Sequence, residues 1–206
     1  MPSELEAVAA EAAGCTRCRL HQSRTQVVFG QGDPHADLMF VGEAPGFHED
    51  RQGIPFVGPS GQLLNRLLED IGLRRQDVYI CNVVKSRPPQ NRDPQPDEIA
   101  ACRPWLDAQV RLVDPKVVVT LGNFAAKTLL ETTTGITRLR GQTYPFQGRV
   151  LLPTFHPAAA LHAQGRRTAG PSPLEAMEGD FRVLAELLAA AAPVDEDRPT
   201  EQLGLF

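Results

Sequence analysis

The chain has 206 residues, 42% of them hydrophobic and 22% charged, with a formal net charge of −4, enough for one α/β domain with a real core. No apolar run approaches the ~20 residues of a membrane helix, and no basic segment followed by an apolar stretch marks a secretory leader, so a cytoplasmic protein is expected. The net charge gives no whole-molecule attraction to nucleic acid, although a local basic face can still supply one.

Residues 3–13 read as a short Ala- and Glu-rich helix that Gly14 ends, followed by Cys15 and Cys18 as a C-x-x-C pair. With Cys81 and Cys102 they make four cysteines; cytosolic disulfides are rare, so this usage points to metal or redox chemistry. Gln26–Gly30 reads as a short strand or extended run, and Gly32-Asp33-Pro34 as a turn. Leu38–Glu43 is the first core strand, apolar or small from Leu38 to Gly42 as in a strand buried on both faces. It breaks into Glu43-Ala44-Pro45-Gly46, which sets a carboxylate at a strand's carboxyl end, where α/β sheets bind ligands. Ala44–Pro59 reads as a long irregular loop, a length usually reserved for function. It carries His48, Glu49, Asp50 and Phe56, the last of which either plugs the core or lines a pocket as a stacking surface.

Ser60 is expected to cap a helix over Gly61–Ile71, with Leu63, Leu64, Leu67 and Leu68 on one face and Gly72 ending it. Asp77–Val84 is a second strand, with Asn82 near its carboxyl end and Cys81 on the opposite face. Lys85–Pro96 is a proline-stiffened loop, basic at its start; Asp97 opens a helix to about Val113 that carries Cys102 and Trp105. Lys116–Leu121 is a third buried strand, and Gly122-Asn123 caps a helix to Leu130. Ile136–Phe146, with Arg138 and Arg140, reads as a hairpin-like stretch, and Arg149–Thr154 as a fourth strand running into His156-Pro157. His156 thus joins Glu43 and Asn82 at carboxyl ends of strands, and three polar side chains on one edge of a parallel sheet mark a site. Ala158–Leu161 is one helical turn, Gln164–Arg167 a basic loop, and Pro173–Ala192 a closing amphipathic helix. The pattern predicts a three-layer α/β/α sandwich around a central, mostly parallel four-stranded sheet, with residues 1–192 as a single domain. Residues 193–206 read as a flexible acidic tail.

Gly42-Glu43-Ala44-Pro45-Gly46, then Gly53-Ile54-Pro55-Phe56-Val57-Gly58, Tyr79-Ile80-Cys81-Asn82-Val83-Val84-Lys85 and His156-Pro157 resemble, in order and spacing, the motifs of the family 4, iron–sulfur uracil-DNA glycosylases. The likeness covers roughly residues 10–190. It implies an enzyme that hydrolyses the N-glycosidic bond of deoxyuridine in DNA, taking the base out of the stack to do so and leaving an abasic site. It assigns Phe56 to stack on uracil, Asn82 to read its N3–O4 edge, and the backbone around Gly42, Glu43 and Ala44 to meet the carbonyls. His156 would donate to O2 of the departing base, and Glu43 and Glu49 would position water or steady the cationic sugar; the best-known uracil glycosylases have an aspartate where Ala44 stands. Leu161 is the candidate wedge into the duplex, and Arg166 and Arg167 are candidates for phosphates.

The family's cluster has four cysteine ligands. Cys15, Cys18 and Cys102 match three, while the Lys-Cys-Arg-Pro-Pro motif of the fourth reads Lys85-Ser86-Arg87-Pro88-Pro89 here. The expectation is a 4Fe-4S cluster with an atypical fourth ligand, Ser86 or Cys81. The ending Gln202-Leu203-Gly204-Leu205-Phe206 resembles the peptide by which bacterial repair proteins dock on the polymerase sliding clamp. The protein is expected to act as a monomer on uracil-containing DNA. Three other readings suit parts of the sequence. A non-catalytic DNA-binding or damage-sensing protein of the same fold would suit Ala44 and Ser86. A relative that bonds covalently to the abasic product needs a histidine after Asn82, and residues 85–96 contain none. A redox protein using Cys15 and Cys18 leaves Glu43, Phe56, Asn82 and His156 unexplained.

Overall fold

A computed structural model describes residues 3–163 and 170–191. The described strands are β1 (Gln31–Gly32), β2 (Leu38–Gly42), β3 (Tyr79–Asn82), β4 (Val117–Leu121), β5 (Tyr144–Phe146) and β6 (Arg149–Thr154). They form one sheet in the order β1-β3-β2-β4-β6-β5. The four inner strands are parallel, as expected, and the two outer ones are antiparallel additions. At two and three residues, β1 and β5 are too short to show a hydrophobic pattern, so their pairing comes from their neighbours.

The helices are α1 (Glu4–Ala13), α2 (Phe47–Gln52), α3 (Pro59–Asp70), α4 (Pro96–Val113), α5 (Asn123–Leu130), α6 (Ile136–Leu139), α7 (Pro157–His162) and α8 (Pro173–Ala191). Every residue of β2 and of β4 is buried, and the strand alternation splits the core in two. Met39, Val41, Tyr79, Cys81, Val118 and Leu151 face a cluster completed by Cys102, Trp105 and Leu106 of α4. Leu38, Phe40, Ile80, Val117, Val119 and Leu152 face the other, completed by the α3 leucines and by Met177, Phe181 and Leu184 of α8. Those two cores are the two faces of the expected sandwich.

Several expected boundaries move, each for a local reason. The Ala44–Pro59 stretch is not wholly irregular: α2 forms inside it, ended by Gly53 at φ +72°. Ser60 does not cap α3. The helix begins two residues earlier, with Pro59 in its first turn and Gly58 as N-cap, because a proline's missing N–H is no loss there. Gln26–Gly30 makes no ladder; Val28 N–H donates to the Lys85 carbonyl, and pairing starts only at Gln31. Ile136–Phe146 divides into α6 and β5, and the hairpin lies just beyond it. Gln147 and Gly148, both at positive φ, turn the chain from β5 into β6 as a two-residue connection requires.

The chain leaves β2 for β3 on one side, and leaves β4 for β6 on the other. Connections that diverge in this way open a crevice at the carboxyl ends of the strands. There the β2 ladder continues past its end, with Val83 N–H donating to Gly42 O and Val84 N–H to Glu43 O.

Candidate active site

A cleft of about 710 Å³ occupies that crevice, and Glu43, Phe56, Asn82 and His156 all line it. Sequence reasoning placed these four residues on separate segments, and the fold brings them together.

Phe56 answers both readings of its position. It is 6% exposed and packed in the α3-side core, yet its ring lines the cleft, 5.7 Å from the His156 ring. Its φ is +52°, a conformation that a bulky L-residue avoids. Neighbouring contacts hold it there. Arg75 donates to the carbonyls of Pro55 and Phe56. Glu49 Oε1 accepts from the backbone N–H groups of Val57 and Gly58, each at 2.9 Å. The Phe56 carbonyl lies where a side chain on residue 61 would be, so Gly61 is required. Strain held by surroundings this specific is characteristic of functional positions.

Asn82 is 1% exposed, and its Oδ1 has no hydrogen-bond partner. A buried amide oxygen left unpaired is costly, and in a cleft a ligand N–H relieves it. Gly42 makes room for the arrangement. A Cβ there would collide with Asn82 Oδ1 and the Phe56 ring. Beneath Asn82 lies a buried polar network: Lys85 Nζ donates to the Asn82 carbonyl and to Gln109 Oε1, and Gln109 Nε2 donates to Phe29 O at 2.8 Å and to the Tyr79 hydroxyl at 3.1 Å.

His156 is the N-cap of α7, its Nδ1 accepting from Ala158 N–H at 3.1 Å. That bond assigns the remaining proton to Nε2, which is left to donate. Burial pushes the imidazole down to about 4, with the Glu49 carboxylate opposing, so the ring is neutral at physiological pH. The end of β6 is anchored just before it. Asp180 accepts from Thr154 Oγ1 at 2.6 Å and from Arg140 at 2.7 and 3.1 Å, and Arg140 also stands over the Phe155 ring.

Glu43 and Glu49 are both in the cleft but differ in availability. Glu49 is engaged by the Phe56 loop through Oε1. Glu43 is half-buried and makes no side-chain hydrogen bond or ion pair among the described residues, and its carboxyl is pushed up to about 7, first by burial and second by Asp93. Asp50, from the same loop, is buried and accepts from Thr25 N–H through both oxygens. Ala44 lines the cleft beside Glu43, and Gly42 lies just beneath. Sequence reasoning missed Phe47, Asn91, Asp93 and His162 as lining residues. Asn91 and Asp93 stood in a loop read for its basic charge, and nothing in a single sequence says that the loop folds back across the strand ends.

Among the described residues no three of His, Cys, Asp and Glu stand close enough to share a single metal ion. The cysteines nonetheless group. Cys15 and Cys18 pack against the cluster that contains Cys102, and their charges bear on its thiol. Lys85 N–H approaches Cys102 Sγ at 3.5 Å, and adjacent Ser86 is buried, its Oγ accepting from Arg24 at 3.2 Å. Thiolates with a nearby backbone N–H donor are the kind of donor set that an iron–sulfur cluster would take. Cys81, by contrast, is fully buried within β3 beside the Lys85 amine, and burial raises its thiol. Leu161 is half-buried in α7 against the core. Arg166, Arg167 and Gln202–Phe206 lie outside the described residues. No described helix is long and apolar enough to cross a membrane.

The profile of the Uracil DNA glycosylase superfamily matches residues 29–182. A type-4 uracil-DNA glycosylase of Sulfurisphaera tokodaii is 44% identical over 89% of this chain and 84% of its own. That of Archaeoglobus fulgidus is 42% identical over 92% of this chain and 96% of its own. That of Thermotoga maritima is 46% identical over 76% and 83%.

Proposed function

This chain belongs to the uracil-DNA glycosylase superfamily, and from that membership we propose that it is a monofunctional uracil-DNA glycosylase of the type-4 kind. Its substrate is DNA containing deoxyuridine, and its products are free uracil and an abasic site. The observation that carries this reading is the unpaired Oδ1 of Asn82 in a cleft floored by Phe56 and His156.

An extruded uracil stacks on the Phe56 ring. Asn82 accepts from its N3–H and donates to its O4. Cytosine has an unprotonated N3 and a 4-amino donor, so the same amide would meet it acceptor to acceptor and donor to donor. As the C1′–N1 bond breaks, the electron pair moves onto the base, and the Nε2–H of neutral His156 donates to O2. A preorganised donor of this type contributes on the order of 3–4 kcal/mol. Water adds to C1′, and Glu43 as carboxylate takes its proton. Glu49 supports the reaction by holding the Phe56 loop and placing its charge near the imidazole. Lys85 is buried and hydrogen-bonded, so it offers no amine to the sugar, which favours hydrolysis without lyase chemistry.

Leu161 and the Arg166-Arg167 pair are assigned to the DNA, and Gln202–Phe206 to a sliding clamp. A monomer in the cytoplasm goes with this reading. Cys15, Cys18 and Cys102, with Ser86 as fourth ligand, would hold a 4Fe-4S cluster. Through these residues a bound cluster would tie the segment after α1 to α4 and to the loop after β3.

The deciding experiment is alkali cleavage of labelled oligonucleotides carrying one uracil in U·G, U·A and single-stranded form, with a cytosine control. Uracil-dependent breaks that vanish in Asn82→Ala and His156→Ala are expected. No breaks with any substrate would replace this reading with a non-catalytic DNA-binding protein, which Ala44 and Ser86 favour.

A further inference from the structure

Phe47 is the one large apolar side chain among the described residues that stays exposed, at 46%. It opens α2 at the cleft, whose wall it helps to form. Two guanidiniums from different segments stand over its ring. Arg51, one turn along α2, is 5.6 Å from the centroid, and Arg87, from the loop after β3, is 5.2 Å away. The His48 ring meets it edge-on at 5.5 Å. Arg87 Nε donates to Asn91 Oδ1 at 2.7 Å, which fixes the side chain and leaves its terminal nitrogens available. Neither arginine has a carboxylate ion-pair partner among the described residues, a state they share with Arg24, Arg66, Arg75, Arg138 and Arg182, but only these two stand against an exposed aromatic ring. A protein of net charge −4 thus keeps two uncompensated cations against an open aromatic ring at the mouth of its cleft.

A phenyl face offers stacking to any base, and unpaired guanidiniums offer phosphates a forked donor. Building on the glycosylase reading, we propose that Phe47, Arg51 and Arg87 form a binding site for the nucleotide adjacent to the extruded deoxyuridine. Its base stacks on the open part of the Phe47 ring, and its phosphates pair with the two arginines. Stacking reads no hydrogen-bond pattern, so the contact holds the lesion strand whatever base flanks the uracil.

The test is fluorescence anisotropy with a product duplex bearing an abasic site, across a salt series. It is paired with KM and kcat for uracil release and with inhibition by free uracil. Wild type, Phe47→Ala, Phe47→Trp and the Arg51→Ala/Arg87→Ala double variant are compared. Phe47→Ala should weaken DNA binding about tenfold or more, with the loss in KM, and Phe47→Trp should restore it. The double variant should lower the slope of log K against log salt by about 1.8. Inhibition by free uracil should be retained throughout, because the ring does not form the floor of the base pocket. Three outcomes overturn the proposal: Phe47→Ala binding within twofold of wild type with an unchanged salt slope in the double variant; no restoration by tryptophan; or free-uracil inhibition falling in step with DNA binding. A wild-type protein that releases no uracil would instead remove the glycosylase reading, while the anisotropy still reports on the site.

Discussion

Replacing Asp93 with asparagine should move the acid side of the pH–rate profile. Glu43 is pushed up from 4.5 to about 7, and Asp93 is the smaller of the two causes, after burial. Removing that like charge therefore recovers less than half of the rise, about one pH unit at most. The reactive form is the carboxylate, so activity falls as pH drops through the Glu43 value. At about pH 6 a carboxyl that titrates near 7 is ~10% ionised, and a full unit of recovery would make it ~50% ionised, so Asp93→Asn should gain activity by up to about fivefold relative to its own plateau. His156, titrating at about 4, stays neutral over this range and adds no limb of its own. Single-turnover release of uracil from a single-stranded oligonucleotide, from about pH 5 to 9, measures this without duplex melting. An unmoved limb in Asp93→Asn, or a limb near 7 that survives Glu43→Gln, would refute the assignment. The same burial has a stability consequence of defined sign. A raised carboxyl contributes stability that is fully present below the unfolded value and lost as pH rises through the folded value. Glu43→Gln should thus raise Tm more at pH above about 7 than below about 4.5, a difference that thermal unfolding at the two pH values would read.

Loss of the Nε2–H donor in His156→Ala should lower kcat by about 10²–10³, measured with a protein whose unfolding curve matches wild type; a loss under tenfold would remove the histidine from the transition state. Arg75→Met strips the donors from the Pro55 and Phe56 carbonyls. It should cost about 1–3 kcal/mol, seen by calorimetry as a Tm lowered by several degrees, and weaken inhibition by free uracil as the Phe56 ring loosens. Unchanged values of both would mean that Gly61 and Glu49 suffice to hold the loop. Ser86→Cys should increase iron and sulfide retained per chain after aerobic purification, because thiolate is the stronger ligand for iron; equal iron in both proteins would place the fourth ligand elsewhere.

Much of the site was legible in the chain because strands announce their ends. Leu38–Gly42 and Val117–Val119 are continuous apolar or small runs, and polar residues at the carboxyl end of a strand in a parallel sheet stand at the binding edge. Glu43, Asn82 and His156 could each be placed by that rule, and the motifs they sit in carried the family. The cysteines were legible as a group by type, and the serine at position 86 as a departure from it. Local rules failed where they competed. Ser60 is a good cap residue, but Pro59 and Gly58 before it suit a helix start better.

What the sequence by itself determined was the sandwich architecture, the sheet edge where Glu43, Asn82 and His156 gather, and the family, because burial pattern and motif spacing are properties of the chain. Only the tertiary structure decided how each group is tuned. Where Glu43 titrates depends first on its burial and then on Asp93 arriving from another loop, and the proton of His156 on a bond within α7. Whether Phe56 fills the core or faces a ligand depends on Arg75, Glu49 and Gly61 converging on a backbone that would not hold φ +52° alone. Charge, burial and strain are set by distances between segments far apart in sequence, and no local pattern encodes those distances.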